Sequence, residues 1–103
     1  SSPEKGLMQK DKVKIVHETL LMMTENSPKD AYLVKMHLEG LDYQQMAEKQ
    51  LADNDYTPKQ LTKKVNAIKK QFTRNKTGSL AKFQSYLNRI LAKKQMAYAD
   101  LMN

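Results

Sequence analysis

Between Thr57 and Arg74, the residues Lys59, Lys63, Asn66, Lys70, Thr73 and Arg74 follow one another at steps of four, three, four, three and one. On a helix that spacing gathers them onto one face. Lysine and arginine neutralise phosphates, lysine also donates to the O6 and N7 acceptors of guanine, and asparagine pairs with both N6 and N7 of adenine. When a helix lies in a DNA groove its N-terminal part meets base edges, which assigns Lys59, Thr62, Lys63 and Asn66 to base reading. Lys69, Lys70, Arg74 and Lys76, further along, are assigned to the phosphate backbone, and the amino end of the helix can itself donate to a phosphate. The rival reading of the same residues is a solvated, lysine-rich face that only keeps a helix in water.

Other chemistries find little support. There is no cysteine, so disulfides, thiolate zinc sites and cysteine nucleophiles are excluded. His17 and His37 fall on different segments without metal-ligand spacing, the acids are scattered rather than paired, and no serine sits in a nucleophile context. No glycine-rich phosphate loop is present. The expectation is a chain that is not an enzyme and has no cofactor and no metal.

The elements that must position the basic face can be read from periodicity and caps. Three glycines, three prolines and abundant Leu, Met, Ala, Lys and Gln favour helix throughout. A first helix is expected from about Lys10 to Thr24, with Val13, Val16, Leu20 and Met23 as its apolar stripe. A second starts at Ser27-Pro28-Lys29-Asp30, where Ser27 reads as the cap, Pro28 as the first helical residue and Asp30 as the partner of a capping box; it stops at Glu39-Gly40. Asp42, paired with Gln45, caps a third helix to about Ala52, with Met46, Ala47 and Leu51 facing inward. Thr57-Pro58-Lys59-Gln60 repeats the cap, proline and box pattern and opens the fourth. Its Leu61, Val65, Ile68 and Phe72 lie in a narrow angular sector that must be buried. Asn75 to Gly78 ends it, and Ser79 is read as the cap of a last helix carrying Leu80, Phe83, Leu87, Ile90, Ala97 and Leu101. That stripe is either core or a dimer seam.

The expected architecture is therefore all-α: a five-helix bundle containing a tri-helical helix-turn-helix, with extra N- and C-terminal helices. Residues 10–103 read as a single helical domain, with the helix-turn-helix core over 27–74 and the C-terminal helix over 79–101. Residues 1–9, which open SSPEKG without a methionine, read as a flexible or extraneous lead-in. No apolar run reaches the roughly 20 residues of a membrane span and no signal-peptide pattern is present, so the expectation is no membrane contact and a cytoplasmic location.

The net charge of +7 is unevenly spread. Residues 1–26 are neutral and residues 27–56 carry −3, whereas residues 57–103 hold eleven Lys or Arg against Asp100 alone. A half so basic attracts polyanions. Seven methionines suit core packing at helical spacing, although Leu20, Leu21, Met22 and Met23 together exceed what one small core hides and are compatible with docking on another protein.

The run Leu38-Glu39-Gly40-Leu41-Asp42-Tyr43-Gln44-Gln45-Met46-Ala47-Glu48 resembles region 4 of sigma-70-type factors, especially the small extracytoplasmic-function group. With Ser27-Pro28 upstream it also resembles the DNA-binding domain of LuxR-type response regulators. Gln60-Leu61, Val65, Ile68 and Phe72 keep the spacing of the recognition helix in those families, so the resemblance covers about residues 27–72. It implies promoter or operator DNA binding, with contacts carried over onto Lys59, Gln60, Lys63 and Lys64. Gln60 thereby joins the base-reading set and Lys64 the phosphate set. On the sigma branch it further implies docking on RNA polymerase. The sequence departs from the pattern in the connection from Glu48 to Thr57, about four residues longer than the family turn, and in its long last helix.

Two readings compete: sequence-specific binding of double-stranded DNA in transcription, and a protein-interaction module that docks on RNA polymerase or forms a homodimer through its terminal helices. Single-stranded RNA recognition fits less well, because nothing suggests an aromatic platform on a sheet.

Overall fold

The structure, a computed structural model, describes residues 9–96 together with Leu101. Among them run five helices and no strand: α1 (Gln9–Asn26), α2 (Pro28–Leu38), α3 (Tyr43–Leu51), α4 (Pro58–Thr73) and α5 (Ser79–Lys93). The chain is all-α. The lead-in expected over residues 1–9 lies outside the described residues except for Gln9, which already belongs to α1. No described helix is long and apolar enough to cross a membrane. α1, α2 and α5 pack against one another, α4 packs on α5 and α2, and α3 packs chiefly on α4. Met23, Met36 and Met46 are completely buried at the centre, where an unbranched thioether fills irregular space between helices.

The face that α1 buries differs from the expected stripe. Val13 is 58% exposed, while Ile15, Thr19 and Met23, at successive four-residue steps, point into the core with Val16 and Leu20 half-buried beside them. A threonine can occupy that position because its hydroxyl donates to the Ile15 carbonyl at 2.7 Å and carries no unmet hydrogen bond into the interior. Of the apolar surplus around residues 20–23, Leu21 remains 55% exposed.

Helix ends follow local chemistry, with two exceptions. Asp42 and Gln45 close a reciprocal capping box at α3, and Thr57 and Gln60 close another at α4. α2 stops where Gly40 adopts a φ of +91°, so that the amides of Gly40 and Leu41 donate back to the carbonyls of His37 and Met36. A Cβ there would touch nothing within 4 Å, so Gly40→Ala is expected to cost only backbone strain. Thermal unfolding should register a loss of about 1–2 kcal/mol with the fold unchanged.

The exceptions are Ser27 and Ser79. Ser27 makes no side-chain cap bond, and Asp30 does not reach back to it. Asp30 is instead 6% exposed and accepts three hydrogen bonds: from Gln71 Nε2 at 2.7 Å, Ser79 Oγ at 2.6 Å and Lys82 Nζ at 2.7 Å. Ser79 therefore donates into this cluster and does not cap α5, whose cap position belongs to Gly78. One carboxylate ties α2 to α4 and α5. The chain can turn so tightly before α5 because Gly78 lies against α4; a Cβ on it would fall 2.5 Å from the Arg74 carbonyl oxygen.

The last helix is shorter than its apolar repeat suggests. α5 ends at Lys93, where Gln95 takes a φ of +56° and the amides of Gln95 and Met96 bond back to Ala92 and Leu91. Phe83, Leu87 and Ile90 are buried in the chain's own core and Leu80 is partly exposed. Leu101 packs against the same core, and Ala97 lies outside the described residues. The described part of the stripe, apart from Leu80, is thus packed within a single chain.

Candidate nucleic-acid interface

α4 is anchored by its apolar edge. Ile68 and Phe72 are buried and Leu61 and Val65 half-buried against the core. Phe72 is the knot of the three-helix unit: the His37 ring from α2 lies 4.9 Å from it and the Tyr43 ring from α3 at 6.0 Å, edge-on. These contacts fix the end of α2, the start of α3 and the C-terminal half of α4 to one another, so the opposite face of α4 has a defined orientation. The α3–α4 connection runs over residues 52–57. It is shorter than the Glu48-to-Thr57 span because α3 continues to Leu51, and still longer than the three or four residues of a tight helix-turn-helix turn.

Lys59, Lys63, Asn66, Lys70, Thr73 and Arg74 are all exposed along this outward face. Over 16 residues α4 is about 24 Å long, enough to run through a major groove about 12 Å wide. Among the base-reading candidates, the side chains of Lys59, Lys63 and Asn66 make no hydrogen bond within the described residues and are free to meet a ligand. Thr62 Oγ1 donates to the Pro58 carbonyl at 3.1 Å, which leaves its oxygen as an acceptor. Gln60 has its side-chain oxygen engaged by the Thr57 amide at 2.8 Å, so only its Nε2 can reach outward, and the bidentate adenine contact expected of a free glutamine is not open to it.

The phosphate candidates also divide. Lys69, Lys70, Arg74 and Lys76 are exposed on α4 and the turn after it, where Lys76 holds a φ of +64°. Lys64 departs from them. It is half-buried on the flank of α4, where it lines a groove with Tyr32, Gln50 and Lys29, a third of a helical turn from Lys70. The structure thus brings Lys59, Lys63, Asn66, Lys70 and Arg74 to one side and places Lys69 and Lys64 on opposite flanks of α4, Lys69 exposed and Lys64 half-buried.

Electrostatics sharpen the contrast between α4 and the rest of the basic half. The cations in and just after α5 largely have partners: Lys82 on Asp30, Arg89 over the Tyr86 ring at 5.2 Å, and Lys94 with Glu18 at 3.2 Å. Among the described residues, no cation of α4 is in an ion pair. The charge that composition spreads over residues 57–103 is uncompensated mainly on α4.

The sequence matches no protein-family model, no curated protein and no solved structure.

A functional reading therefore rests on this helix and its setting. Sequence reasoning missed Asp30 as the residue that anchors α4 and α5, because Pro28-Lys29-Asp30 has the spacing of a local cap and nothing in the sequence couples Asp30 to Gln71, Ser79 or Lys82. It also missed that Lys29 and Lys64 line one groove, an arrangement that exists only once α2 packs on α4.

Proposed function

We propose that the chain binds double-stranded DNA sequence-specifically as a helix-turn-helix domain acting in transcription, without catalysis. α4 lies in the major groove, Lys59, Lys63 and Asn66 face base edges, and Lys69, Lys70, Arg74 and Lys76 hold the phosphates. The observation that carries this reading is the row of exposed α4 cations with no carboxylate partner among the described residues, on a helix whose other edge is fixed by Ile68 and Phe72. A surface that only needed solubility would gain from interspersed acids, and α4 has none. The resemblance to sigma region 4 and to LuxR-type domains points the same way. A second reading, docking on RNA polymerase, is favoured by Val13 and Leu21 on the outward side of α1, at 58% and 55% exposure. The two are compatible, since a promoter-binding domain of the sigma type does both.

Binding to a labelled duplex followed against salt is the experiment. Four to six phosphate contacts predict a log–log slope of about −4 to −5, and selection from a random-sequence pool should enrich a motif. A duplex that stays unbound at low salt removes the proposal.

A further inference from the structure

An open groove of about 620 Å³ lies in the angle between α2, α3 and α4, on the flank of α4 that carries Lys64 and Ile68. Leu33 and Ile68, each 4% exposed, form its floor, and Tyr32, 43% exposed, stands at its side with Gln50 opposite on α3. Its charged lining residues are Lys29 and Lys64. Among the described residues neither has an ion-pair partner, and no carboxylate lines the groove. It is therefore shaped for an apolar or aromatic anchor flanked by acids.

The chain carries such a segment. The turn between α3 and α4 reads Asp53-Asn54-Asp55-Tyr56 and is held by the Asn54 amide donating to the Leu51 carbonyl at 2.9 Å. Among the described residues, the exposed side chains of Asp53 and Asp55 make no hydrogen bond or ion pair, and the hydroxyl of Tyr56, which is 39% exposed, has no partner. Within one copy, this turn pairs with neither Lys29 nor Lys64, so both halves of the complementarity stay open. The groove between α1 and α5 differs, because there Lys94 already pairs with Glu18 and Glu25 adds a second acid.

We infer that the groove receives the Asp53-to-Tyr56 turn of a second copy of the chain, Tyr56 entering over Leu33 and Ile68 while Asp53 meets Lys29 and Asp55 meets Lys64. The chemistry is one aromatic anchor with two exposed ion pairs, so the contact is small, weak and screened by salt. It does not depend on the DNA-binding proposal, since Lys64 lies off the outward face of α4.

Amide spectra of the isotopically labelled protein, without DNA and at low salt, test it from micromolar concentration up to about 1 mM. The expected result is concentration-dependent shifts confined to residues 53–56 and to the groove around Lys29 and Lys64. Either Lys64→Glu or Asp55→Lys should weaken self-association about tenfold, and the double variant carrying both should restore it, because the pair is then re-formed with reversed sign. The spectra themselves report that each variant is folded. Shifts absent at the highest concentration, shifts centred on Val13 and Leu21, or a double variant that fails to recover would each overturn the inference.

Discussion

Replacing Asp30 by alanine is expected to lower the free energy of unfolding by about 2–4 kcal/mol, a large share of the roughly 5–15 kcal/mol that holds a domain together. The loss has three parts. Ser79, 0% exposed, would be left with a hydroxyl in a dry site and no acceptor. The half-buried Gln71 would lose its side-chain acceptor. Lys82 would lose its counter-ion, but with its side chain 36% exposed it can turn to water, which keeps the estimate below that for a wholly buried pair. Urea unfolding of wild type and variant reads the difference directly; a change within about 0.5 kcal/mol, typical of surface substitutions, would mean that the three-way cluster does not tie the helices together.

The same cluster sets a pH dependence. Burial by itself would raise the Asp30 carboxyl above its ordinary value near 3.8, but the hydrogen bonds from Lys82, Ser79 and Gln71, together with the charge of Lys82, outweigh burial and hold it below that value. A carboxyl whose folded value is depressed contributes stability that is fully present above the ordinary value and is lost as pH falls through the folded one. The advantage of wild type over Asp30→Asn should thus be constant at neutral pH and shrink on acidification below about pH 4.

Where local chemistry decided the structure, the sequence was readable. The boxes at Asp42 and Thr57, the stop at Gly40 and the apolar edge of α4 each depend on residues spaced no more than five positions from the next, and each formed as the pattern implies. Failures arose where a distant partner competed. Asp30 and Ser79 have the types and spacing of local caps, yet they found each other 49 residues apart, because burying a charged carboxylate with three donors satisfies more polar groups than two separate caps would. Thr19 hid the inward face of α1, since a polar residue breaks an apolar stripe unless its own helix takes the hydroxyl. The apolar repeat of the last helix ran on through Leu101, but nothing in a hydrophobic repeat forbids the left-handed turn at Gln95. At the candidate interface, which side chains are free was not legible: Gln60 looks like a base reader until its oxygen is seen to close the cap.

The second large effect expected is on DNA. Lys63 and Lys70 are both exposed, lie on the same face of α4 and have no partner among the described residues. Reversing both with Lys63→Glu and Lys70→Glu removes two phosphate- or base-facing cations and places two anions against the backbone, which should weaken duplex binding by a factor of about one hundred or more at moderate salt. Stability should hardly change, because both sites are solvent-facing and the glutamate at position 63 gains Lys59, and that at position 70 gains Arg74, one helical turn away. The measurement that bears most directly on the central claim is therefore the affinity of wild type and of this double variant for the same duplex, with helicity and melting temperature recorded for both. The account predicts salt-dependent binding by wild type and its near-complete loss in a variant that melts as wild type does; equal affinity of two equally folded proteins would contradict it.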